Sequence, residues 1–327
     1  MLSRPRAFAR TFTVAEEYAA FNGLDGLRIN GPSPRAFSAR MALMDLDVIR
    51  FRSGEASIGL NLIGGTSDNH VFAFGTARAH PRLMSGREIP HDVLFHPRPN
   101  EVLATRSHGN EPFPWGAITV PFATLAQVGP LLSGRGVSPS RIDATVLRPR
   151  PVAHARLLRL VADAVRIAET TPEVAESSVA SKALAAVLLE ALIDCLSQSA
   201  WEPDRAATRQ HSRVMARVNE VLRDGDEAML SMTALCRAAG ASERTLHQVC
   251  MEYVGMAPMR YVRRHRLGLV REALLVADPR AETVTEVVMR HGFWEVGRFS
   301  SAYRQIFGET PSETLRRGFE SFLLQPA

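Results

Sequence analysis

The sequence predicts an α+β chain of several domains, with a strand-rich N-terminal part and an all-α C-terminal part. Three observations support this fold class: short alternating apolar stretches separated by Gly and Pro in the first part, helical periodicity after residue 150, and two helix-turn-helix motifs in the last third. A chain of 327 residues that is 46% apolar is long enough to bury more than one core.

The first helix-turn-helix motif covers residues 231–252. Ser231 is suited to cap a helix, and Gly240 is suited to end it, because the tight turn requires a residue that tolerates positive φ. Ser242 can then cap a second helix, whose inward apolar stripe is Leu246, Val249 and Cys250. The segment therefore predicts a helix, a tight turn and a second helix.

The second motif covers residues 283–306. Thr283 and Glu286 have the spacing of a capping box, and Gly292 follows as the expected turn residue. The second helix of this motif carries the apolar stripe Phe299, Tyr303 and Phe307. The pattern predicts the same arrangement as in the first motif.

The two motifs share the residues that follow their second helices. Gly255 and Pro258 follow the first, and Gly308 and Pro311 follow the second, so each helix is expected to end at Gly and the next to begin at Pro. Between the motifs, residues 259–276 form a predicted amphipathic helix. Its basic side chains are expected to face solvent or phosphates: Arg260, Arg263, Arg264 and Arg266.

Two such motifs allow one chain to place a helix in each of two successive major grooves, about one duplex turn apart. A single helix-Gly-helix hairpin is also common in ordinary helical bundles. Because two occur in tandem with the same residue types after each, the sequence predicts a DNA-binding regulator and not an enzyme.

Residues 212–317 resemble the DNA-binding domain of the AraC/XylS family of transcriptional regulators over its whole length. The segment 292–316 matches the family signature, and it is most similar to the branch that contains activators of aromatic-degradation and ethanolamine-utilisation genes. The resemblance implies two three-helix lobes joined by a linker helix, with promoter DNA and RNA polymerase as partners.

The chain departs from the family pattern within the second motif. Ser301 stands where the family often has Arg, and Trp294, Val296 and Gly297 stand where polar residues are frequent. The second helix of this motif is therefore expected to read fewer bases than that of the first.

The resemblance and the outward helix faces together indicate which residues contact DNA. Arg suits guanine and Gln suits adenine, because each can make paired hydrogen bonds to that base in the major groove. The predicted base-reading residues are Arg244, His247 and Gln248 in the first motif and Arg298 and Ser301 in the second. The predicted phosphate contacts, which set register without reading sequence, are Ser242, Thr245, Ser300 and Arg304. The alternative for each residue is an ordinary solvated helix face.

Residues 1–150 contain short apolar stretches bounded by turn residues, which indicate a β-sandwich or β-barrel. The predicted strands are 40–44, 47–51, 58–63, 70–74, 93–95 and 117–120. The family resemblance implies a cupin-like sensing barrel that binds a small-molecule effector. Residues 1–20 are expected to form an arm that packs over the barrel through Phe8, Phe12 and Tyr18.

The predicted barrel is rich in histidine, which raises the rival interpretation of a metal-dependent oxygenase. The histidines, with one nearby tryptophan, are His70, His80, His91, His96, His108 and Trp115. The H-x-H pair with a downstream Glu that cupin metal sites use is missing, so we predict no metal, no cofactor and no catalytic residue. His80, His96 and Trp115 could line a pocket, with turn or surface positions as the alternative, and the ligand-binding residues stay unknown.

Residues 151–200 are expected to form two long helices, 153–169 and 174–198. The second carries an apolar stripe at helical spacing: Leu184, Val187, Leu188, Ala191, Leu192 and Cys195. The family resemblance implies a segment that forms a homodimer, and the alternative is packing against the chain's own N-terminal domain. Residues 201–211, interrupted by Pro203, are predicted to be the linker to the DNA-binding domain.

Composition is compatible with these predictions. The 3 cysteines, Cys195, Cys236 and Cys250, lie on predicted helices and fit buried thiols in a reducing compartment. No apolar run reaches membrane-spanning length and no signal-peptide core is present, so we expect a soluble cytoplasmic protein without a membrane partner. The net charge of +5 is compatible with nucleic-acid binding without demonstrating it.

The sequence as a whole predicts a dimeric transcriptional activator that responds to a small molecule. One alternative is a regulator controlled by a protein partner or by its own abundance, and another is a repressor. A DNA-repair enzyme with the same C-terminal domain would need a cluster of zinc-binding cysteines near the N-terminus, and no cysteine precedes Cys195.

Overall fold

In the computed structural model the chain forms two compact units. The first contains Met1–Leu27 and Phe37–Ser212, and the second contains Arg28–Ala36 and Arg213–Ala327. The structure describes residues 6–22, 28–29, 37–57, 62–65, 69–77, 82–97, 102–106, 113–133, 145–197, 199–202, 206–223 and 231–323. Within these ranges, no helix is both long enough and apolar enough to cross a membrane.

Most of the described strands precede the long helices along the chain. They are β1 (Ala7–Phe12), β2 (Arg28–Ile29), β3 (Ala39–Asp45), β4 (Arg50–Ala56), β5 (Leu62–Gly65), β6 (Asn69–Gly75), β7 (Arg82–Met84), β8 (Arg87–Ile89), β9 (Leu94–Phe95), β10 (Val102–Arg106), β11 (Phe113–Pro121), β12 (Val146–Arg148) and β13 (Ala200–Glu202). The helices of the first unit are α1 (Ala15–Phe21), α2 (Phe122–Ser133), α3 (Pro151–Thr170) and α4 (Ser178–Ser197).

The first unit is rich in antiparallel sheet. Its larger sheet has the strand order β1-β3-β4-β11-β6-β9-β12-β13, and the other sheet contains β5, β10, β7 and β8 in that order. Among the described residues these sheets form no closed barrel, so the predicted cupin-like barrel is not confirmed. One core joins apolar side chains of the larger sheet to those of α3 and α4, which cover it: Phe51, Phe72, Ile118, Leu157, Leu188 and Leu192.

The predicted strand at residues 47–51 is wrong in its first half. There β3 ends at Asp45 and β4 begins at Arg50, with a tight turn between them. Asp47 has φ +65°, a left-handed conformation that Asp tolerates better than most side chains, and the Leu46 N–H donates to the Ile49 carbonyl over 3.0 Å. The alternating apolar pattern therefore runs through a hairpin turn that periodicity alone does not reveal.

The N-terminal segment is part of the sheet and is not a separate arm. Strand β1 pairs antiparallel with β3, and its Phe12 is 1% exposed. Tyr18 on α1 is 2% exposed, and its ring centroid lies 5.7 Å from that of Phe12. The aromatic residues predicted for the arm do pack inward, but they do so around a hydrogen-bonded edge strand.

Helix α4 uses its predicted apolar stripe within the chain. Four of the six stripe residues are 0% exposed and belong to the core shared with the sheet: Leu188, Ala191, Leu192 and Cys195. Leu184 packs against that core, and Val187 is 38% exposed. The stripe therefore packs mainly against the chain's own N-terminal domain, which was the alternative to a dimer contact. A dimer contact by α4 would have to use its exposed residues.

The predicted linker is partly regular structure. Strand β13 extends to Glu202 and pairs with β12, and α5 (Ala206–Arg223) begins four residues later. Pro203 lies outside the described residues. Local polarity predicts a loop here, whereas strand pairing with β12 is a long-range contact.

The second unit is helical. Its helices after α5 are α6 (Met232–Ala239), α7 (Glu243–Val254), α8 (Pro258–Val276), α9 (Val284–Arg290), α10 (Val296–Phe307) and α11 (Pro311–Leu323). The first half of α8 is tied to α5, because Tyr261 donates a hydrogen bond to Asn219 over 2.7 Å. The second half of α8 contributes Leu267, Val270 and Leu274 to a core with α9, α10 and α11. Helix α8 therefore contacts α5 through its first half and α9, α10 and α11 through its second half, as expected of the predicted linker helix.

Candidate nucleic-acid interface

The first helix-turn-helix motif is confirmed as α6, a tight turn and α7. The Ser231 hydroxyl accepts a hydrogen bond from the Ala234 N–H over 3.2 Å, and α6 ends at Gly240 with φ +62°. Ser242 caps α7 by accepting from the Thr245 N–H over 3.2 Å. Each of these caps is formed by the residue that local sequence predicts, because capping needs only neighbours in the chain.

Helix α7 separates an apolar face from a polar face. Leu246, Val249 and Cys250 are each 0% exposed, and burial raises the pKa of the Cys250 thiol to about 12, so it stays protonated in the core. The three predicted base-reading residues lie on the exposed side: Arg244, His247 and Gln248. An arginine, an imidazole and an amide at the start of one helix offer donors and acceptors to base edges.

The two predicted phosphate contacts of this motif lie at the start of α7. The Ser242 and Thr245 hydroxyl oxygens are 2.9 Å apart, within hydrogen-bonding distance, and Ser242 also caps the helix. The first N–H groups of a helix favour a negatively charged group nearby. Ser242 is exposed and Thr245 is half-buried, so their contact with phosphate stays a prediction.

The second motif is confirmed as α9, a longer turn and α10. Thr283 and Glu286 form both hydrogen bonds of the capping box. The Thr283 hydroxyl accepts from the Glu286 N–H over 3.3 Å, and the Glu286 carboxylate accepts from the Thr283 N–H over 2.7 Å. The hydroxyl and N–H of Thr283 hold the pKa of the Glu286 carboxyl below its usual range. Gly292 has φ +74°, as the turn prediction requires. The turn from 291 to 295 is longer than the turn from 240 to 242.

Arg266 of α8 stabilises the turn between α9 and α10. Its guanidinium donates hydrogen bonds to the carbonyls of His291 and Gly292 over 3.2 and 3.0 Å, and it lies 4.6 Å from the centre of the Phe293 ring. The Phe293 ring in turn lies 4.9 Å from that of Phe299, which is buried. The prediction that Arg266 faces solvent or phosphate is therefore wrong, because tertiary packing brings two turn carbonyls within its reach.

The other predicted basic residues of α8 divide into two groups. Arg260 and Arg263 are exposed, as predicted. Arg264 is half-buried, and burial, with a smaller contribution from the charge of Arg260, lowers its pKa to about 10. Only the exposed pair is therefore free to face phosphates in the way that the helical pattern predicts.

Helix α10 presents its predicted DNA contacts unevenly. Arg298 is exposed, and its guanidinium lies 2.8 Å from the Glu295 carboxylate one turn earlier. Ser301 and Arg304 are exposed, and Ser300 is half-buried. The first base-reading candidate of this helix thus has an acidic neighbour, whereas Arg244 of the first motif has no ion pair among the described salt bridges.

A buried polar network beneath α10 was not predicted from the sequence. Arg271 of α8 is 3% exposed, and its guanidinium lies 2.7 Å from the Glu309 carboxylate and 4.6 Å from the centre of the Phe307 ring. The Tyr303 hydroxyl donates to Thr314 over 2.8 Å, and burial raises the pKa of Tyr303. Arg271 is one of several arginines on an amphipathic helix, and only the fold shows that it points inward.

The described histidines of the first unit form no metal centre. His70 Nδ1 and His96 Nε2 are 3.1 Å apart beside Phe72 and Phe122, and burial lowers the pKa of His70 to about 4. No group of three or more His, Cys, Asp or Glu side chains among the described residues could hold a metal ion. His80 and His108 lie outside the described residues.

Trp115 packs within the first unit as well. Its indole N–H donates to the Tyr18 hydroxyl over 2.7 Å, and burial raises the pKa of Tyr18 to about 12. The indole nitrogen of Trp115 is therefore used in a hydrogen bond within the first unit. All three cysteines are free thiols, and burial raises the pKa of Cys195 to about 12.

Comparison with known proteins gives a family match in the C-terminal half and further matches to individual relatives. Residues 235–317 match the family model described as a helix-turn-helix domain. Over 161 residues the chain is 30% identical to XylDLEGF operon transcriptional activator 3 of Pseudomonas putida, a match that covers 49% of this chain and 46% of that protein, or about half its length. Over 135 residues it is 30% identical to XylDLEGF operon transcriptional activator 2 of the same species, covering 41% of this chain and 82% of that protein.

Among solved structures, the chain is similar to the AraC-like transcriptional activator CuxR, with 15% identity over 80% of this chain and 93% of that chain and a TM-score of 0.42. The relatives matched by sequence are named as transcriptional activators, which agrees with a regulator and not with an enzyme. Together with both helix-turn-helix motifs, the match to four-fifths of the second activator shows that the chain belongs to the AraC/XylS family of transcriptional regulators.

Proposed function

We propose that this protein is a sequence-specific DNA-binding transcriptional activator that places α7 and α10 in successive major grooves. One observation carries the proposal: a single helical unit contains two capped helix-turn-helix motifs, each with exposed polar side chains at the start of its second helix. Such a helix start is the part of the motif that reaches base edges. Double-stranded promoter DNA is the partner, and RNA polymerase is the partner that an activator contacts there.

The first motif is the stronger reader in this proposal. Arg244, His247 and Gln248 read bases, and Ser242 and Thr245 hold the start of α7 against a phosphate. In the second motif Arg298 and Ser301 read bases, while Ser300 and Arg304 contact phosphates. The Glu295 carboxylate beside Arg298 supports an uneven division, because Arg298 must leave that ion pair before it can bind guanine.

The first unit is proposed to sense a small molecule. It contains a cavity of about 250 Å³ between the end of β6 and the start of α3, lined by Gly75, His91, Asp92, His154, Leu158 and their neighbours. His154 Nε2 is buried and has no hydrogen-bond partner, so a polar group of a ligand could pair with it. Effector binding would shift a pre-existing balance between active and inactive arrangements.

A matched pair of alanines tests the cavity. Ala155 lines it, and Ala162 is exposed on the same helix outside the lining. A metabolite that raises the unfolding temperature of the wild type and of Ala162→Trp, but not of Ala155→Trp, supports a sensor at this place. A metabolite collection that shifts none of the three favours control by a protein partner or by abundance.

The remaining assignments complete the proposal. Residues 1–150 are the sensing domain, 151–200 the helical segment and 212–317 the DNA-binding domain of a cytoplasmic homodimer. Because most of the predicted stripe of α4 is buried, Val179 and the exposed stripe residue Val187 mark the face available to a second copy. Val187→Glu, compared with Lys182→Glu at another exposed position of α4, tests this by sedimentation at equal concentrations: only the first should dissociate the dimer.

The central experiment is selection of genomic fragments by the purified chain at physiological salt, where non-specific phosphate binding is weak. We expect enrichment of promoter-proximal fragments that contain paired half-sites about one helical turn apart. The triple variant R244A/H247A/Q248A should lose this enrichment, and Arg237→Ala, an exposed residue of α6, should keep it. The proposal is contradicted if the wild-type protein enriches no fragments, either with or without candidate effectors. A repressor would instead enrich sites that overlap promoters and would lower transcription from them.

A further inference from the structure

Among the described residues of the second motif, Trp294 is the most exposed large apolar one, with 75% of the residue exposed. It lies in the turn immediately before α10, next to Phe293, whose ring packs on the buried Phe299. Neighbouring aromatic residues thus point in opposite directions, one into the core and one away from it. The exposed indole is therefore available for an apolar contact with another molecule, which would remove its surface from water.

The backbone that carries Trp294 is firmly held. Arg266 donates hydrogen bonds to the carbonyls of His291 and Gly292, and it stacks on the ring of Phe293. Three contacts from α8 therefore fix the residues just before Trp294. The indole is presented by a braced turn, and a contact made by it loses little conformational entropy in ordering the backbone.

The surface beside Trp294 is open. Gly297 lies three residues further along in α10, and a Cβ atom built there would meet no heavy atom within 4 Å beyond its chain neighbours and the backbone of its own helix. The charged residues on either side of it, Glu295 and Arg298, pair with each other over 2.8 Å. The start of α10 therefore offers an aromatic ring beside a bare stretch of helix, where another molecule can approach the backbone closely.

We propose that Trp294 reads a thymine in the second half-site, with its indole packed on the thymine C5-methyl group while Gly297 allows the close approach. The inference rests on the proposed function, because it requires the start of α10 to enter the major groove. The thymine methyl is the apolar group that a base pair presents in that groove, and it distinguishes thymine from the other bases. The second motif then adds an apolar contact to the hydrogen bonds of Arg298 and Ser301.

Replacement of thymine by 2′-deoxyuridine tests the contact, since it removes only the C5-methyl group. In a fragment selected by the wild type, each thymine of both half-sites is replaced singly and binding is measured by fluorescence anisotropy. One replacement in the second half-site should weaken wild-type binding about fourfold, the value of one buried methyl group. Trp294→Ala should bind the unmodified fragment more weakly by at least the same factor and should not respond to that replacement.

Met289 provides the matched control, because it is an exposed apolar residue of α9 in the same motif. Met289→Ala should keep the wild-type response to deoxyuridine, and Trp294→Phe should keep part of it. Equal deoxyuridine effects in the wild type and in Trp294→Ala overturn the inference, as does unchanged DNA affinity of Trp294→Ala, which would instead indicate a protein partner at this surface. If the wild type selects no fragments, the proposed function fails first, so the two failures are distinguishable.

Discussion

The Arg271 guanidinium lies 2.7 Å from the Glu309 carboxylate, and this buried pair connects α8 to the segment between α10 and α11. Glu309 also accepts hydrogen bonds from the Thr314 hydroxyl over 2.7 Å and from Arg317 over 3.0 Å. A carboxylate shared by three donors from two helices fixes the position of the residue that follows Gly308. The position of the end of α10 therefore depends on an ion pair that lies beneath the helix and away from its exposed face.

Replacement of Arg271 should destabilise the second unit. Arg271→Met leaves the partly buried Glu309 carboxylate without its principal counter-charge, and we expect a loss of about 3 kcal/mol in the free energy of unfolding. Chemical denaturation followed by circular dichroism measures it. Arg260→Ala, an exposed change on the same helix, should stay within about 0.5 kcal/mol of the wild type. Equal stability of the two variants would show that the pair is not structural.

Arg266 should matter for the second half-site more than for the first. Arg266→Ala removes two hydrogen bonds to turn carbonyls and the contact with Phe293. We expect faster amide hydrogen exchange from His291 to Val296 and weaker binding to fragments that retain only the second half-site. Arg263→Ala is the control, since Arg263 is exposed. A uniform loss at both half-sites would indicate a direct phosphate contact by Arg266.

Arg244 should specify one base pair. A bidentate contact to guanine contributes about 1–3 kcal/mol, so Arg244→Ala should weaken binding to a selected fragment by about 5-fold to 150-fold. The preference at one position should relax while those at other positions stay. If Arg244 contacts phosphate instead, all fragments will weaken alike and the salt dependence of binding will decrease.

The His70–His96 pair should make the first unit sensitive to acid. Burial holds the pKa of His70 at about 4 in the folded state, below the usual value of 6.5, so the unfolded chain binds more protons between these values. Burial of the uncharged His70 therefore contributes stability that is complete above about pH 6.5 and is lost as the pH falls towards 4. The unfolding temperature of His70→Phe should fall less between pH 7 and pH 5 than that of the wild type. His91→Phe, at an exposed position, should follow the wild type.

Local sequence determined the elements that depend on neighbouring residues. The serine caps, the Thr283–Glu286 capping box and the left-handed glycines at 240 and 292 are formed as predicted, because each involves groups only a few residues apart. The strand-rich N-terminal part and the helical C-terminal part follow from periodicity in the same way. For the individual DNA contacts, the sequence determined which side chains lie on the outward faces of α7 and α10, and their roles stay predictions.

Tertiary structure alone decided where long-range partners lie. Periodicity shows that α4 has an apolar stripe and that α8 carries arginines, but it contains no information about which surface covers them. The stripe of α4 meets the large sheet of its own chain, Arg266 meets the carbonyls of a turn 25 residues away, and Arg271 meets a carboxylate 38 residues away. Such contacts form because a buried apolar side chain or a charged group interacts with the residues that lie next to it in space. Their distance along the chain does not matter.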